Sequence, residues 1–114
     1  MKIGDEAEAL AARLLKRKGY RIIERNYKTP FGEIDIIAKD GRTLVFVEVK
    51  SRESLSFGKP FEAVSAVKKR RITNVALSYL KRFKEEPACR FDVVSIFFKD
   101  GEPQVELIKD AFEV

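Results

Sequence analysis

At 114 residues the chain has room for one domain with a single modest core. Its 23 Lys and Arg against 18 Asp and Glu leave a net charge of +5, which favours anionic partners, nucleic acid first. A single cysteine, Cys89, and no histidine exclude an internal disulfide, Ser-His triads and histidine-built zinc sites.

The segment Met1–Leu10 carries acids where a signal peptide needs an apolar core. No apolar run approaches the ~20 residues that span a bilayer. A cytoplasmic chain with no membrane partner is expected, and a lone thiol suits that reducing compartment. Asp5–Gly19 is predicted to be a helix, because Ala7, Leu10, Ala11, Leu14 and Leu15 recur at three and four residues. Acids fill its first turn, Lys16 to Lys18 its last, and Gly19 stops it. Tyr20–Arg25 reads as a short strand and Asn26–Gly32 as a loop. Two apolar strands follow around an Asp40-Gly41 hairpin signal, then a polar loop over Ser51–Pro60. A long helix is predicted over Phe61–Glu85, with Ile72, Val75, Ala76, Tyr79, Leu80 and Phe83 as its apolar stripe and Pro87 beyond its end. Arg90–Phe98 and Val105–Ile108 are predicted strands on either side of an Asp100-Gly101 turn. The order αβββαββ defines a mixed α+β domain over residues 1–114, a central mixed sheet with helices against it.

The hairpin carries charge inside its strands. Alternation puts Ile34, Ile36 and Ala38 on one face of the first strand and Glu33, Asp35 and Ile37 on the other. On the second, Val45, Val47 and Val49 oppose Leu44, Phe46, Glu48 and Lys50. A two-residue loop at Asp40-Gly41 pairs Glu33 with Glu48; a four-residue loop, Asp40 to Thr43, pairs Asp35 with Glu48 and Glu33 with Lys50. In either register all four charges share one face. The simplest account is a cross-strand ion pair on a solvated face, contributing about 0.2–1 kcal/mol. Large apolar residues on both faces argue against it, since the sheet is then covered on both sides. Three covered carboxylates beside one ammonium need compensation, and a divalent cation supplies it; oxygen ligands favour Mg2+ or Mn2+.

Asp35 followed by Glu48-Val49-Lys50 resembles the signature of the PD-(D/E)xK nuclease superfamily, and the order of elements resembles the restriction-endonuclease-like fold. The chain is also similar to the YraN-like family of uncharacterised proteins, itself similar to archaeal Holliday junction resolvases. The matching pieces are Gly4-x-x-x-Glu8-x-x-Ala11, Gly32-Glu33-Ile34-Asp35, Phe46-Val47-Glu48-Val49-Lys50-x-Arg52, Phe57-Gly58, Lys68 and Arg90-Phe91-Asp92. The resemblance implies a Mg2+- or Mn2+-dependent nuclease acting on DNA, branched DNA in repair or recombination included, and a two-fold homodimer would suit a branched substrate.

In that chemistry Asp35 and Glu48 are expected to be metal ligands, with the Val49 backbone carbonyl as a further oxygen. Lys50 is expected to orient the attacking water or to stabilise phosphate charge, and neighbouring carboxylates should favour its ammonium form. Glu33 is an accessory ligand or a partner for Lys50. Periodicity leaves Glu8 as a solvated first-turn acid, whereas the resemblance to resolvases adds it to the metal site. Asp92 has no role that the sequence assigns. Arg52, Lys68, Lys69, Arg70 and Arg71 form a basic cluster suited to phosphates, although 68 to 71 cover too much of a turn for all to face one duplex. Rival readings are a non-catalytic nucleic-acid-binding or repair-accessory module and a domain whose acids simply pair with lysines.

Overall fold

The computed structural model describes residues 3–52 and 66–112. Along them run α1 (Ile3–Arg17), β1 (Arg21–Thr29), β2 (Gly32–Asp40), β3 (Thr43–Arg52), α2 (Ala66–Leu80), β4 (Cys89–Lys99) and β5 (Glu102–Phe112). The strands form one sheet in chain order, β1 to β5. β3 and β4 pair in parallel across the connection that contains α2, and every other pair is antiparallel. This mixed αβββαββ sheet is the architecture expected from the sequence.

The helices cover opposite faces, so two cores sandwich the sheet. Ala7, Ala11, Ala12, Leu14 and Leu15 of α1 pack on Ile36, Ala38, Val45, Val47, Val94 and Ile96. Ile72, Val75, Ala76, Tyr79 and Leu80 of α2 pack on Ile34, Ile37, Leu44, Phe46, Phe91 and Val93. β3 is therefore apolar on both sides until Glu48, as a central strand must be. α1 ends where Gly19, at φ +90°, lets its own N–H reach Lys16 O (3.0 Å) and the Tyr20 N–H reach Leu15 O (2.9 Å). That is a Schellman stop, completed by Tyr20 and Leu15 sharing the α1-side core.

Several boundaries differ from expectation. The predicted loop over 26–32 is mostly strand: β1 continues to Thr29, and only Pro30-Phe31 turns the chain. Breakers in sequence are tolerated here because Pro30 sits outside the ladder and Asn26 adopts φ +54° within it. α2 stops at Leu80 rather than Glu85. The Arg82 and Phe83 N–H groups close back onto Tyr79 and Leu80 carbonyls, and the Arg82 guanidinium lies 3.9 Å from the Tyr79 ring centroid. The predicted first residues of this helix and most of the 51–60 loop, Phe57-Gly58 included, lie outside the described residues. β5 is far longer than Val105–Ile108, since pairing with β4 recruits polar residues that propensity alone does not place in a strand.

At the hairpin, Asp40 pairs with Thr43 across Gly41-Arg42, and Gly41 takes φ +61°. Ile36 opposes Val47. This is the register of the longer predicted loop, which directs Asp35 toward Glu48, and the shorter one is excluded. Alternation nevertheless fails at one point. Ile34 belongs to the α2-side core with Ile37, not to the α1 side with Ile36 and Ala38. The reversal falls at Asp35, across from Asn26 with its φ of +54°, whereas the register shift of the β1–β2 ladder lies between Ile22 and Glu24.

Candidate active site

The distortion at Asp35 sets up the site. The β2–β3 ladder runs from the hairpin only as far as Ile36 and Val47. Past that pair the Val49 N–H donates to Asp35 Oδ2 at 2.8 Å, so a side chain replaces a main-chain acceptor. The carboxylate is thereby fixed beside Glu48. Burial, then the Glu48 charge, pushes the Asp35 carboxyl up to about 7, with Glu8 and Glu33 adding to the repulsion.

Glu48 is buried on the α2 side, on the face predicted for it. Its Oε1 is shared by two ammonium groups, Lys68 Nζ of α2 at 2.7 Å and Lys50 Nζ at 3.6 Å. The nearer one wins. Burial works against Lys68, but its bond to Glu48 holds it above the usual lysine value. Lys50 moves the other way: burial, and then Lys68 beside it, outweigh the attraction of Glu48 and hold it below the usual value. The expectation that carboxylates would favour the Lys50 ammonium is thus corrected. The second lysine, supplied by α2, was absent from a reading confined to the hairpin.

Glu8 does not behave as a solvated first-turn acid. It borders the buried Ala7 and Ala11 stripe, and its Oε1 is enclosed with no hydrogen-bond partner among the described residues. Burial raises its carboxyl above the ordinary range; Arg25 opposes this, while Glu33, Asp5 and Glu48 add to it. Glu8 therefore shares an electrostatic neighbourhood with Glu33, Glu48 and Asp35. Glu33 is exposed and sits opposite Lys28, with Nζ 3.9 Å from its carboxylate, so β1 supplies its partner rather than Lys50.

The basic run on α2 divides around the helix. Lys68 enters the site. Lys69 Nζ lies 5.6 Å from the Phe112 ring centroid, toward β5. Arg70 and Arg71 are exposed. Arg52 ends β3 opposite Phe97.

Asp92 has a structural explanation that the sequence did not supply. It lies in the β4–β5 ladder between the Phe91–Phe112 and Val93–Ile108 pairs, where the register shifts. On β5 the shift includes Asp110 at φ +52°. Asp92 Oδ1 accepts the Asp110 N–H at 2.9 Å, and Oδ2 accepts the Tyr20 hydroxyl at 2.8 Å. Arg90 Nε donates to the same carboxylate at 3.0 Å, and its NH2 group reaches Asp40 at 2.7 Å. One fully buried acid thus ties together the chain after α1, the ends of β2 and β5, and β4.

A hard divalent cation suits the donors near Asp35: carboxylates and a main-chain carbonyl, with no imidazole or thiolate. The unpartnered Glu8 oxygen and the repulsion between Asp35 and Glu48 are both relieved by positive charge. Among the described residues, no three Asp, Glu, His or Cys side chains close on one point as they stand. That is compatible with magnesium, which commonly takes one or two carboxylates and completes its shell with water and substrate phosphate.

On this mixed five-stranded sheet an Asp and a Glu-x-Lys triplet meet where β2 and β3 part. The chain belongs to the uncharacterised protein family UPF0102, whose model matches residues 7–96. A UPF0102 protein of Syntrophus aciditrophicus is 51% identical over 116 residues, spanning 100% of this chain and 91% of its own. One from Geobacter metallireducens is 48% identical over 113 residues, covering 98% of this chain and 93% of its own. One from Symbiobacterium thermophilum is 49% identical over 113 residues, covering 97% and 96%. No helix among the described residues is long and apolar enough to cross a membrane.

Proposed function

We propose that this protein is a cytoplasmic Mg2+- or Mn2+-dependent nuclease of the PD-(D/E)xK type that hydrolyses phosphodiester bonds in DNA. The observation that carries the reading is the Asp35 carboxylate pinned by the Val49 N–H beside Glu48, with Lys50 two residues on and on the same face as Glu48. Asp35, Glu48 and the Val49 carbonyl would hold the cation, and Glu8 has a spare oxygen nearby. When bound, a divalent cation there offsets charge developing on the phosphate and makes water a better nucleophile. Lys68 holds Glu48 in place. Lys50, partly buried beside the buried Glu48, orients the attacking water or donates to a phosphate oxygen.

Calorimetry with Mn2+ on wild type and Asp35→Asn, beside cleavage of linear, flapped and four-way DNA, tests the proposal. Binding should be at least about tenfold weaker in the variant, since even supporting residues around a metal are worth that much. Equal affinity in both proteins removes Asp35 as a ligand. One observation favours the alternative of a non-catalytic DNA-binding module: two ammonium groups already share the Glu48 carboxylate. Wild-type protein that binds DNA and cuts none of the three substrates with either metal selects that alternative.

The phosphate path follows the exposed cations. Lys68 is engaged with Glu48 and Lys69 lies over Phe112, so Arg70 and Arg71 are the members of the run best placed for duplex phosphates. Replacing both with Ala should make the log–log salt dependence of duplex binding shallower by roughly one to two units, equally for all sequences. An unchanged slope in the folded variant moves the path elsewhere.

A further inference from the structure

The start of β2 and the first turns of α2 border a cavity of about 440 Å3, within the range of small-ligand sites. Gly32, Glu33, Val67, Lys68, Arg71 and Ile72 line it. Lys68 connects it to the candidate active site through its 2.7 Å bond to Glu48. The cavity has a cationic side, Lys68 and Arg71, and an apolar side, Val67 and Ile72. Its acid, Glu33, is offset by Lys28 at 3.9 Å.

Large apolar side chains are exposed at four described positions: Ile23, Phe31, Val67 and Leu77. Two of them lie in its wall or next in the chain to it. Val67 lines the cavity and is 54% exposed; Phe31 precedes Gly32 of the cavity wall and is 59% exposed. The turn that carries Phe31 is stiff. Pro30 fixes its own φ. The Phe31 N–H donates to Thr29 Oγ1 at 3.1 Å, and Thr29 Oγ1 also reaches Gly32 O at 3.3 Å. Gly32 faces α2, where an added Cβ would make ordinary contacts of 3.7 Å to Val75 Cγ2 and 3.9 Å to Arg71 Cβ. An aromatic ring on a stiff turn loses little conformational freedom when something stacks on it.

We propose that this cavity receives one unpaired nucleotide of a DNA strand, with its base against Phe31 and Val67 and its phosphate on Arg71. A phosphate needs the cations, and a base needs an apolar or aromatic surface; the wall supplies Arg71 and Val67, and Phe31 adjoins it in the chain. A base inside a continuous duplex is stacked on its neighbours and cannot offer its face to Phe31, whereas an unpaired base can. The substrate class is accordingly DNA with an unpaired nucleotide beside the cut, as at a flap, rather than uninterrupted duplex. The cutting step rests on the nuclease reading; the binding preference does not.

The test is fluorescence anisotropy of the whole protein in chelator, without divalent metal, on a single-strand-flapped duplex and on a continuous duplex of equal length. Wild type should prefer the flapped DNA. Phe31→Ala should weaken flapped binding by about tenfold or more and change duplex binding by less than about twofold, as loss of one base–aromatic stack implies. Phe31→Trp should retain the preference. Phe31 is exposed, so both variants should melt as wild type does. A wild type without preference, or a Phe31→Ala protein that keeps it, overturns the inference. The same DNAs with Mg2+ or Mn2+ separate the two claims: cutting with no role for Phe31 leaves the nuclease reading standing alone, and Phe31-dependent binding without cutting leaves the pocket standing alone.

Discussion

Asp35→Asn is expected to lower metal-dependent cleavage by about a thousandfold or more and Lys50→Ala by about 10²–10³-fold, with DNA affinity little changed in either, as for groups that act only as charge develops. The two substitutions fail for different reasons. Asn keeps the size of Asp and an oxygen that can still accept the Val49 N–H. What it loses is the negative charge that draws a cation to the site. It also loses the repulsion from Glu48, so the variant should melt at or above the wild-type temperature. Activity lost without stability lost is the signature of a functional rather than a structural carboxylate. Lys50→Ala removes no buried partner of Asp35 and leaves Glu48 its shorter bond to Lys68. Its effect should fall on turnover, with Mn2+ affinity near wild type. Single-turnover rates at saturating protein, with thermal melts alongside, check both. A Lys50→Ala protein that cuts at the wild-type rate removes Lys50 from the mechanism.

The face of β3 that holds Glu48 and Lys50 was readable from alternation alone, because a central strand covered on both sides has little freedom to slip. The stripes of α1 and α2 were readable for the same kind of reason: each helix must bury one side on the sheet. Asp35 was harder. Strict alternation put Ile34 on the wrong face, and the reversal coincides with a positive φ at Asn26 of the neighbouring strand and with a side-chain-to-backbone bond to Val49. Neither has a local signature. Lys68 was assigned to the phosphate path because it stands in a run of four cations; its bond to Glu48 is a contact between an α2 residue and a β3 residue that only packing creates. Glu8 illustrates the limit most clearly. Helical periodicity set it at the border of the buried stripe, and whether a border acid faces water or a site is decided by what lies beneath the helix.

Asp92→Ala should be the most destabilising single substitution considered, costing about 3–5 kcal/mol, because it strands a buried hydroxyl, a guanidinium and a main-chain N–H at once. For a chain of this size that predicts a melting temperature lower by at least about 12 °C. Asp92→Asn should lose less, since its oxygen still accepts from Tyr20 or from Asp110, while its amide group meets the other donors badly. The same network gives stability a pH signature at both ends. Arg90, first by hydrogen bond and then by charge, holds Asp40 below the usual carboxylate range. Stability from Asp40 is therefore present above its unfolded pKa and is lost as pH falls through the lower folded value. Burial, then the bond to Asp92, pushes the Tyr20 hydroxyl up to about 12 from 10.0. Stability from Tyr20 is therefore complete below pH 10.0 and is lost as pH rises toward about 12. Tyr20→Phe should flatten the alkaline limb of a melting-temperature profile and leave the acid limb in place. Cleavage by folded Asp92→Asn, measured well below its melting temperature, should stay close to wild type, because Asp92 faces the α1 side of the sheet with Tyr20 while Glu48 faces α2. Cleavage lost in that variant with its melting temperature intact would move Asp92 from the frame of the fold into the chemistry.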